Sequence, residues 1–178
     1  MNDKVKWVTR CGLGIALLIL LQFVTKPLGQ LVTGSCVNLI LALSTLLYGP
    51  AVGAVIALVS PFMAYFLGIN AQILVVPAIA LGNLAYVLVI WLTARLLREK
   101  AEKLPETVRN ITAVICGAAV KFALQYVLIV LWIAPSFLPE KARPVMAVNF
   151  GLIQLATACI GGVAACLICP VIRKAVKE

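Results

Sequence analysis

A lysine lies near the middle of a long apolar segment, AVICGAAVKFALQYVLIVLW (113–132). Lys121 and Gln125 are four residues apart, so a helix places them on one face. Leu128 and Trp132 continue that face. A lysine at mid-span costs on the order of 3 kcal/mol even on the lenient insertion scale, and the apolar segments contain no acid that could pair with it. Lys121 therefore needs a local partner.

Two interpretations of Lys121 stay open at this stage. In the first, the lysine is hydrogen-bonded between helices or kept uncharged by burial. In the second, it is the counter-charge for the carboxylate of a small-molecule ligand. The second interpretation predicts a substrate-binding set of Lys121, Gln125, Asn83, Asn149, Gln72, Tyr86 and Trp132.

The elements that must position these residues are membrane-spanning helices. The chain has 178 residues, 63% of them hydrophobic and 12% charged, and its mean hydropathy is +1.11. These values are typical of an integral membrane protein. The sequence predicts an all-α bundle of six transmembrane helices in a single domain, 1–178, with helices at about 7–25, 32–48, 51–67, 72–97, 109–134 and 144–172.

The basic residues predict the orientation of this bundle. With a cytoplasmic N-terminus, eleven lysines and arginines fall on the inner side and three on the outer side, so both termini are expected in the cytoplasm. The formal net charge of +9 is then a topology signal. We expect no nucleic-acid partner, and we expect the plasma membrane of a prokaryote as the location.

This orientation brings polar side chains of three helices to a similar depth. The fourth helix carries Gln72, Asn83 and Tyr86 from its outer end toward the middle, and the sixth carries Asn149, Phe150 and Gln154 in the same direction. The fifth places Lys121 centrally, with Gln125 and Trp132 above it. Apolar walls with a few placed polar groups are typical of a small-molecule pocket, although such amides also bridge helices.

This sequence lacks the residues and motifs that most enzyme classes need for catalysis. It has no histidine, no acid inside a span, no GxSxG and no glycine-rich phosphate loop with its lysine. Cys166 and Cys169 form an isolated CxxC, which is weak support for a metal or redox site. We expect neither catalysis nor a metal or cofactor.

Two outer segments, LGQLVTGS and PSFLPEKARP, are long enough to fold over a pocket. Gly29 and Gly34 would permit movement of the first segment. We therefore expect both segments to be loops that act as lids.

Short helices, the turn YGPAVG, and the block NLILALSTLLYGPAVGAVIALVSPFMAYFLG together resemble the substrate-binding S component of energy-coupling factor (ECF) vitamin transporters. The resemblance covers nearly the whole chain. It implies a membrane-embedded subunit that binds a micronutrient with high affinity from outside. With Lys121 as the counter-charge, a carboxylate-bearing micronutrient such as pantothenate, niacin, biotin or lipoate is favoured over a cation such as thiamine. It also implies partners, namely a transmembrane coupling protein and two ATPase subunits.

The family's first-helix AxxxA, which contacts the coupling protein, corresponds here to Gly12 and Ala16, with glycine in place of the first alanine. Other possibilities are a membrane scaffold similar to the cell-shape protein MreD, which has a similar size and no ligand, and a small exporter. A scaffold has no need of a mid-membrane lysine beside amides and aromatics, so the Lys121 region favours a binding protein.

Overall fold

All of the regular structure in this computed structural model, which describes residues 2–69 and 72–177, is helical. The α-helices are α1 Asp3–Thr25, α2 Gln30–Tyr48, α3 Pro50–Phe66, α4 Val76–Lys100, α5 Glu106–Gln125, α6 Ala134–Phe137, α7 Arg143–Asn149 and α8 Leu152–Lys177. A π-helical segment, Tyr126–Ile133, joins α5 to α6. The predicted all-α class is confirmed.

Five helical segments of the described chain are long and apolar enough to cross a membrane: Asp3–Leu28, Gln30–Tyr48, Ile73–Lys100, Glu106–Phe137 and Glu140–Ala175. The helix α3 is equally apolar but has 17 residues. At 1.5 Å per residue it is about 26 Å long, slightly less than the ~30 Å hydrocarbon core of a bilayer. A count of six full spans therefore stays a prediction.

Local chemistry explains why α2 and α3 form a tight pair. Gly49 ends α2 with a φ of 92°, a left-handed value that favours glycine. Pro50 begins α3, where its missing N–H costs no intrahelical hydrogen bond. The chain therefore reverses direction within one residue.

The first and last long helices start and finish at the same end of the bundle, which we call the terminal end. Here the guanidinium of Arg10 lies 4.9 Å from the ring centroid of Tyr48, at the end of α2. Arg173, near the end of α8, pairs with Glu106 and donates a hydrogen bond to the carbonyl of Leu46 at 2.7 Å. The opposite end, where α2, α4 and α8 begin, is called the distal end.

The helices α2 and α8 cross closely because of a glycine. A Cβ added at Gly161 would overlap the backbone carbonyl of Ser35 and come within 2.7 Å of the backbone nitrogen of Leu39. Small residues let helix backbones approach in this way. The crossing brings α2 against α8 beside α5, which positions the polar residues described below.

Both expected lid loops are corrected by the structure. Gln30 begins α2, so most of LGQLVTGS is helical, and Gly34 packs beside Thr157 instead of lying in a loop. The second segment is also largely helical, because it folds into α6, a short 3₁₀ turn and the start of α7. The predicted helix 144–172 is likewise divided, since α7 ends at Asn149 and α8 begins at Leu152.

Candidate functional site

A polar cavity opens between the helices in the distal half of the bundle. The empty volume between its atoms, including the open mouth, is about 480 Å³. Only about 50 Å³ of this volume can hold the centre of a water molecule. It is therefore a narrow cleft. Its polar lining comes from six helices, α1 to α5 and α8, and consists of Gln22, Gln30, Thr33, Asn38, Ser60, Asn83, Lys121 and Gln154.

Lys121 lies in the wall of this cavity, and only 1% of its surface is exposed. Its Nζ donates a hydrogen bond to Asn38 Oδ1 at 2.5 Å and lies 5.3 Å from the ring centroid of Tyr86. The ion pairs found among residues 2–69 and 72–177 involve other lysines and arginines, outside the cavity. Its charge is therefore met by an amide oxygen and an aromatic face, both of them neutral.

The orientation of the Asn38 amide follows from a chain of hydrogen bonds. The hydroxyl of Thr157 donates to the carbonyl of Gln154 at 3.0 Å, so its oxygen is left to accept a hydrogen bond. Asn38 Nδ2 donates to that oxygen at 3.3 Å. Asn38 Oδ1 is therefore directed toward Lys121 and accepts a hydrogen bond from its Nζ.

A second chain of hydrogen bonds in the cavity lining connects α1, α3 and α4. The Ser60 hydroxyl donates to the carbonyl of Ala57 at 3.1 Å, and its oxygen accepts from Asn83 Nδ2 at 2.9 Å. The backbone carbonyl of Ser60 accepts from Gln22 Nε2 at 3.4 Å. Within the described chain, Asn83 Oδ1 and Gln22 Oε1 are buried without a hydrogen-bond partner.

Gln125 is fully buried beside the cavity rather than in its lining. Its Nε2 donates to the carbonyl of Ile79 at 3.2 Å, and its side chain fills the space that the absent Cβ of Gly82 leaves. Gln125 therefore joins α5 to α4. Tyr86 is buried as well, and its hydroxyl donates to the carbonyl of Ala158 at 2.9 Å.

The structure brings four of the seven predicted site residues together: Lys121 and Asn83 in the cavity lining, and Tyr86 and Gln125 packed beside it. Gln72 is half-buried at the start of a short 3₁₀ turn and does not line the cavity. Asn149 lies in a separate shallow recess with Pro144 and Val148.

Trp132 is also apart from the cavity, with 59% of its surface exposed. The sequence placed it on the Lys121 face by assuming a continuous α-helix. The π-helical segment begins at Tyr126, and its wider i→i+5 turns change the angular position of every later residue. Gln154 and Phe150, expected in the sixth helix, do line the cavity.

Sequence reasoning missed five polar residues of the cavity: Gln22, Gln30, Thr33, Asn38 and Ser60. A signal for them was present, because three of them interrupt apolar runs, in LLQFV, CVNLIL and LVSPF. The criterion that selected Asn83 and Gln125 therefore applies equally to the first three helices.

The proposed partner-binding residues of α1 lie far from this cavity, at the terminal half of the helix. Gly12 and Ala16 are both exposed. A Cβ added at Gly12 would meet no atom of the described residues within 4 Å.

Comparison with known proteins decides the family. The family model of the substrate-specific component of ECF transporters matches residues 6–173. This chain belongs to that family. None of the curated proteins or solved structures gave a match.

Membership in the family establishes the general role of the chain. The protein is a multi-pass membrane protein and the substrate-specific subunit of an ECF transporter. S components bind a small-molecule substrate and work with an energy-coupling module. The match does not favour the scaffold alternative.

Proposed function

We propose that this S component binds a small carboxylate-bearing micronutrient in the distal cavity and that Lys121 is the counter-charge for the carboxylate. One observation carries the proposal: Lys121 lies in the wall of a polar cavity and is only 1% exposed. Among the described residues, no acid lines this cavity. Intramembrane ionisable residues are usually functional because their burial is costly.

The hydrogen bonds of Lys121 support a carboxylate as the partner. An ammonium has three N–H donors, and Asn38 Oδ1 is the one acceptor found for it in the part of the chain described. N–H groups are thus left for a ligand. A carboxylate has acceptor oxygens and the opposite charge, so it would offset more of the desolvation cost than a neutral amide does.

The proposed transport cycle depends on partner chains. No glycine-rich phosphate loop and no intramembrane acid occur in the sequence, so the chain has no energy source that we recognise in its residues. We infer that a coupling protein and two ATPase subunits supply it, and that the exposed Gly12–Ala16 face of α1 meets the coupling protein. In this scheme both termini are cytoplasmic and the distal cavity opens to the outside of a prokaryotic cell.

Mass spectrometry of the purified and then denatured protein tests the proposal. We expect a co-purified carboxylic acid, and we expect that acid to raise the unfolding temperature when it is added back. At one hundred times Kd, the stabilisation should be about 2.7 kcal/mol. A co-purified ligand without an acidic group, or no shift with any carboxylate tested, would contradict the proposed substrate class.

A further inference from the structure

The lining of the cavity also contains two buried acceptors without donors. Asn83 Oδ1 and Gln22 Oε1 have no hydrogen-bond partner among residues 2–69 and 72–177, and each residue is only 2% exposed. Both residues line the cavity. A buried acceptor without a partner costs its desolvation energy, so native structures rarely keep one without a reason.

The surrounding hydrogen bonds fix these two amides with their oxygens unpaired. The Ser60 hydroxyl is used as a donor to Ala57, so the Asn83 group that meets the Ser60 oxygen must be the NH₂. The backbone carbonyl of Ser60 only accepts, so the Gln22 group that meets it must also be the NH₂. Exchanging nitrogen and oxygen in Gln22 would place two acceptors against each other, and in Asn83 the exchange would require the Ser60 hydroxyl to give up its bond to Ala57.

The cavity lining therefore offers a ligand both a donor and two acceptors. Lys121 has N–H groups left to donate, whereas Asn83 and Gln22 have oxygens left to accept. A ligand that covers these oxygens without offering them donors leaves them unpaired and loses affinity.

We propose that the substrate of this S component is a carboxylic acid whose remote part carries at least two N–H or O–H donors, which Asn83 Oδ1 and Gln22 Oε1 accept. This inference rests on the proposed function, because it takes Lys121 as the carboxylate partner. It excludes acids whose remote part is purely apolar or only accepts hydrogen bonds. The third unpaired oxygen, Gln125 Oε1, does not line the cavity and is not part of the inference.

Two pairs of acids distinguish the effect of the donors on affinity from the effect of the carboxylate. Biotin and lipoate share a five-carbon acid arm, but the ring of biotin has two N–H donors and the ring of lipoate has none. Pantothenate has hydroxyl and amide donors, whereas nicotinate has no donor apart from its acid group. We expect a donor-bearing acid to bind the wild-type protein at least about tenfold more tightly than its donor-free counterpart, as a lost buried hydrogen bond requires.

Two substitutions then assign the preference to the named oxygens. Asn83→Leu and Gln22→Met each remove an amide and keep its approximate volume. Because the Ser60 hydroxyl keeps its bond to Ala57, we expect both variants to fold. Each should weaken the donor-bearing acid about tenfold and leave the donor-free acid unchanged. Asn110→Leu is the control, since Asn110 is equally buried, at 4% exposure, but lies outside the cavity.

Each outcome decides between the inference and the function on which it rests. A preference for donors that Asn83→Leu or Gln22→Met removes supports the inference. Equal affinity for both members of a pair, or an equal loss for both in the variants, overturns the inference and leaves the proposed function standing. Failure of all four acids to bind the wild-type protein overturns both.

Discussion

Two pairs of small residues with the same spacing lie in opposite surroundings. Ala78 and Gly82 are buried on α4, where a Cβ added at Gly82 would overlap the Gln125 side chain. Gly12 and Ala16 are exposed on α1, and a Cβ added at Gly12 would have no neighbour within 4 Å in the described structure. The spacing is the same, with alanine and glycine in the reverse order, but only the first pair packs against other helices in the described structure.

The whole of α4 is also more buried than the whole of α1. In the most apolar stretch of Ile73–Lys100, 56% of the residues are buried, compared with 22% for the segment that contains α1. Interior small residues set the distance between helices of the subunit, whereas Gly12 and Ala16 remain uncovered. We therefore expect substitutions on α4 to change folding and ligand binding, and substitutions on α1 to change assembly.

The largest expected effect is on assembly. The double substitution Gly12→Leu with Ala16→Leu should reduce co-purification of the coupling protein at least about tenfold, equivalent to about 1.4 kcal/mol. Bulky side chains would hold the two helices apart, while the cavity stays unchanged. Pull-down and ligand-induced thermal shift measure the two properties separately.

A matched control is available on α5. Ala119 and Ala123 are also exposed and four residues apart, so changing both to leucine adds the same bulk to another face. Normal assembly of the α1 variant, or equal loss in the α5 variant, would remove the special role of α1.

An intermediate effect is expected at Gly82. Gly82→Ala should lower the free energy of unfolding by about 1 kcal/mol, because overpacked cores lose stability. Gln125 cannot easily move aside, since it is fully buried and bonded to the carbonyl of Ile79. Adding Gln125→Ala to this variant should recover part of the loss. Unchanged thermal unfolding of Gly82→Ala would show that the α4–α5 contact is looser than described.

The smallest effect has the opposite sign. Gly12→Ala should stabilise the protein by about 0.5–1 kcal/mol, since alanine is the better residue in a helix interior and space is available for its methyl group. Thermal unfolding of the isolated subunit measures this difference. A destabilised Gly12→Ala protein would mean that α1 packs against the bundle through this face.

Local signals explain what the sequence could predict. Gly49 and Pro50 end one helix and begin the next through their own backbone preferences. Lys121 stands out because a charge in an apolar run needs a partner wherever the neighbouring helices lie. These features depend on a few adjacent residues, so the sequence is sufficient for them.

Contacts between distant residues explain what it could not predict. The partner of Lys121 is Asn38, 83 positions away, and it reaches the lysine because α2 crosses α8 at Gly161. Trp132 was placed on the Lys121 face because no residue in its surroundings signals a π-helical segment. The environments of Gly12 and Gly82 likewise depend on which helices surround them.

The most direct test of the central claim is the affinity of Lys121→Met for the acid that co-purifies with the wild-type protein. Methionine keeps the length and removes the charge, so we expect a folded protein with affinity reduced about thirtyfold or more, equivalent to ~2 kcal/mol. Lys141→Met, an exposed lysine beyond α6, is the control and should bind normally. A Lys121→Met protein that binds the acid with wild-type affinity would contradict the account.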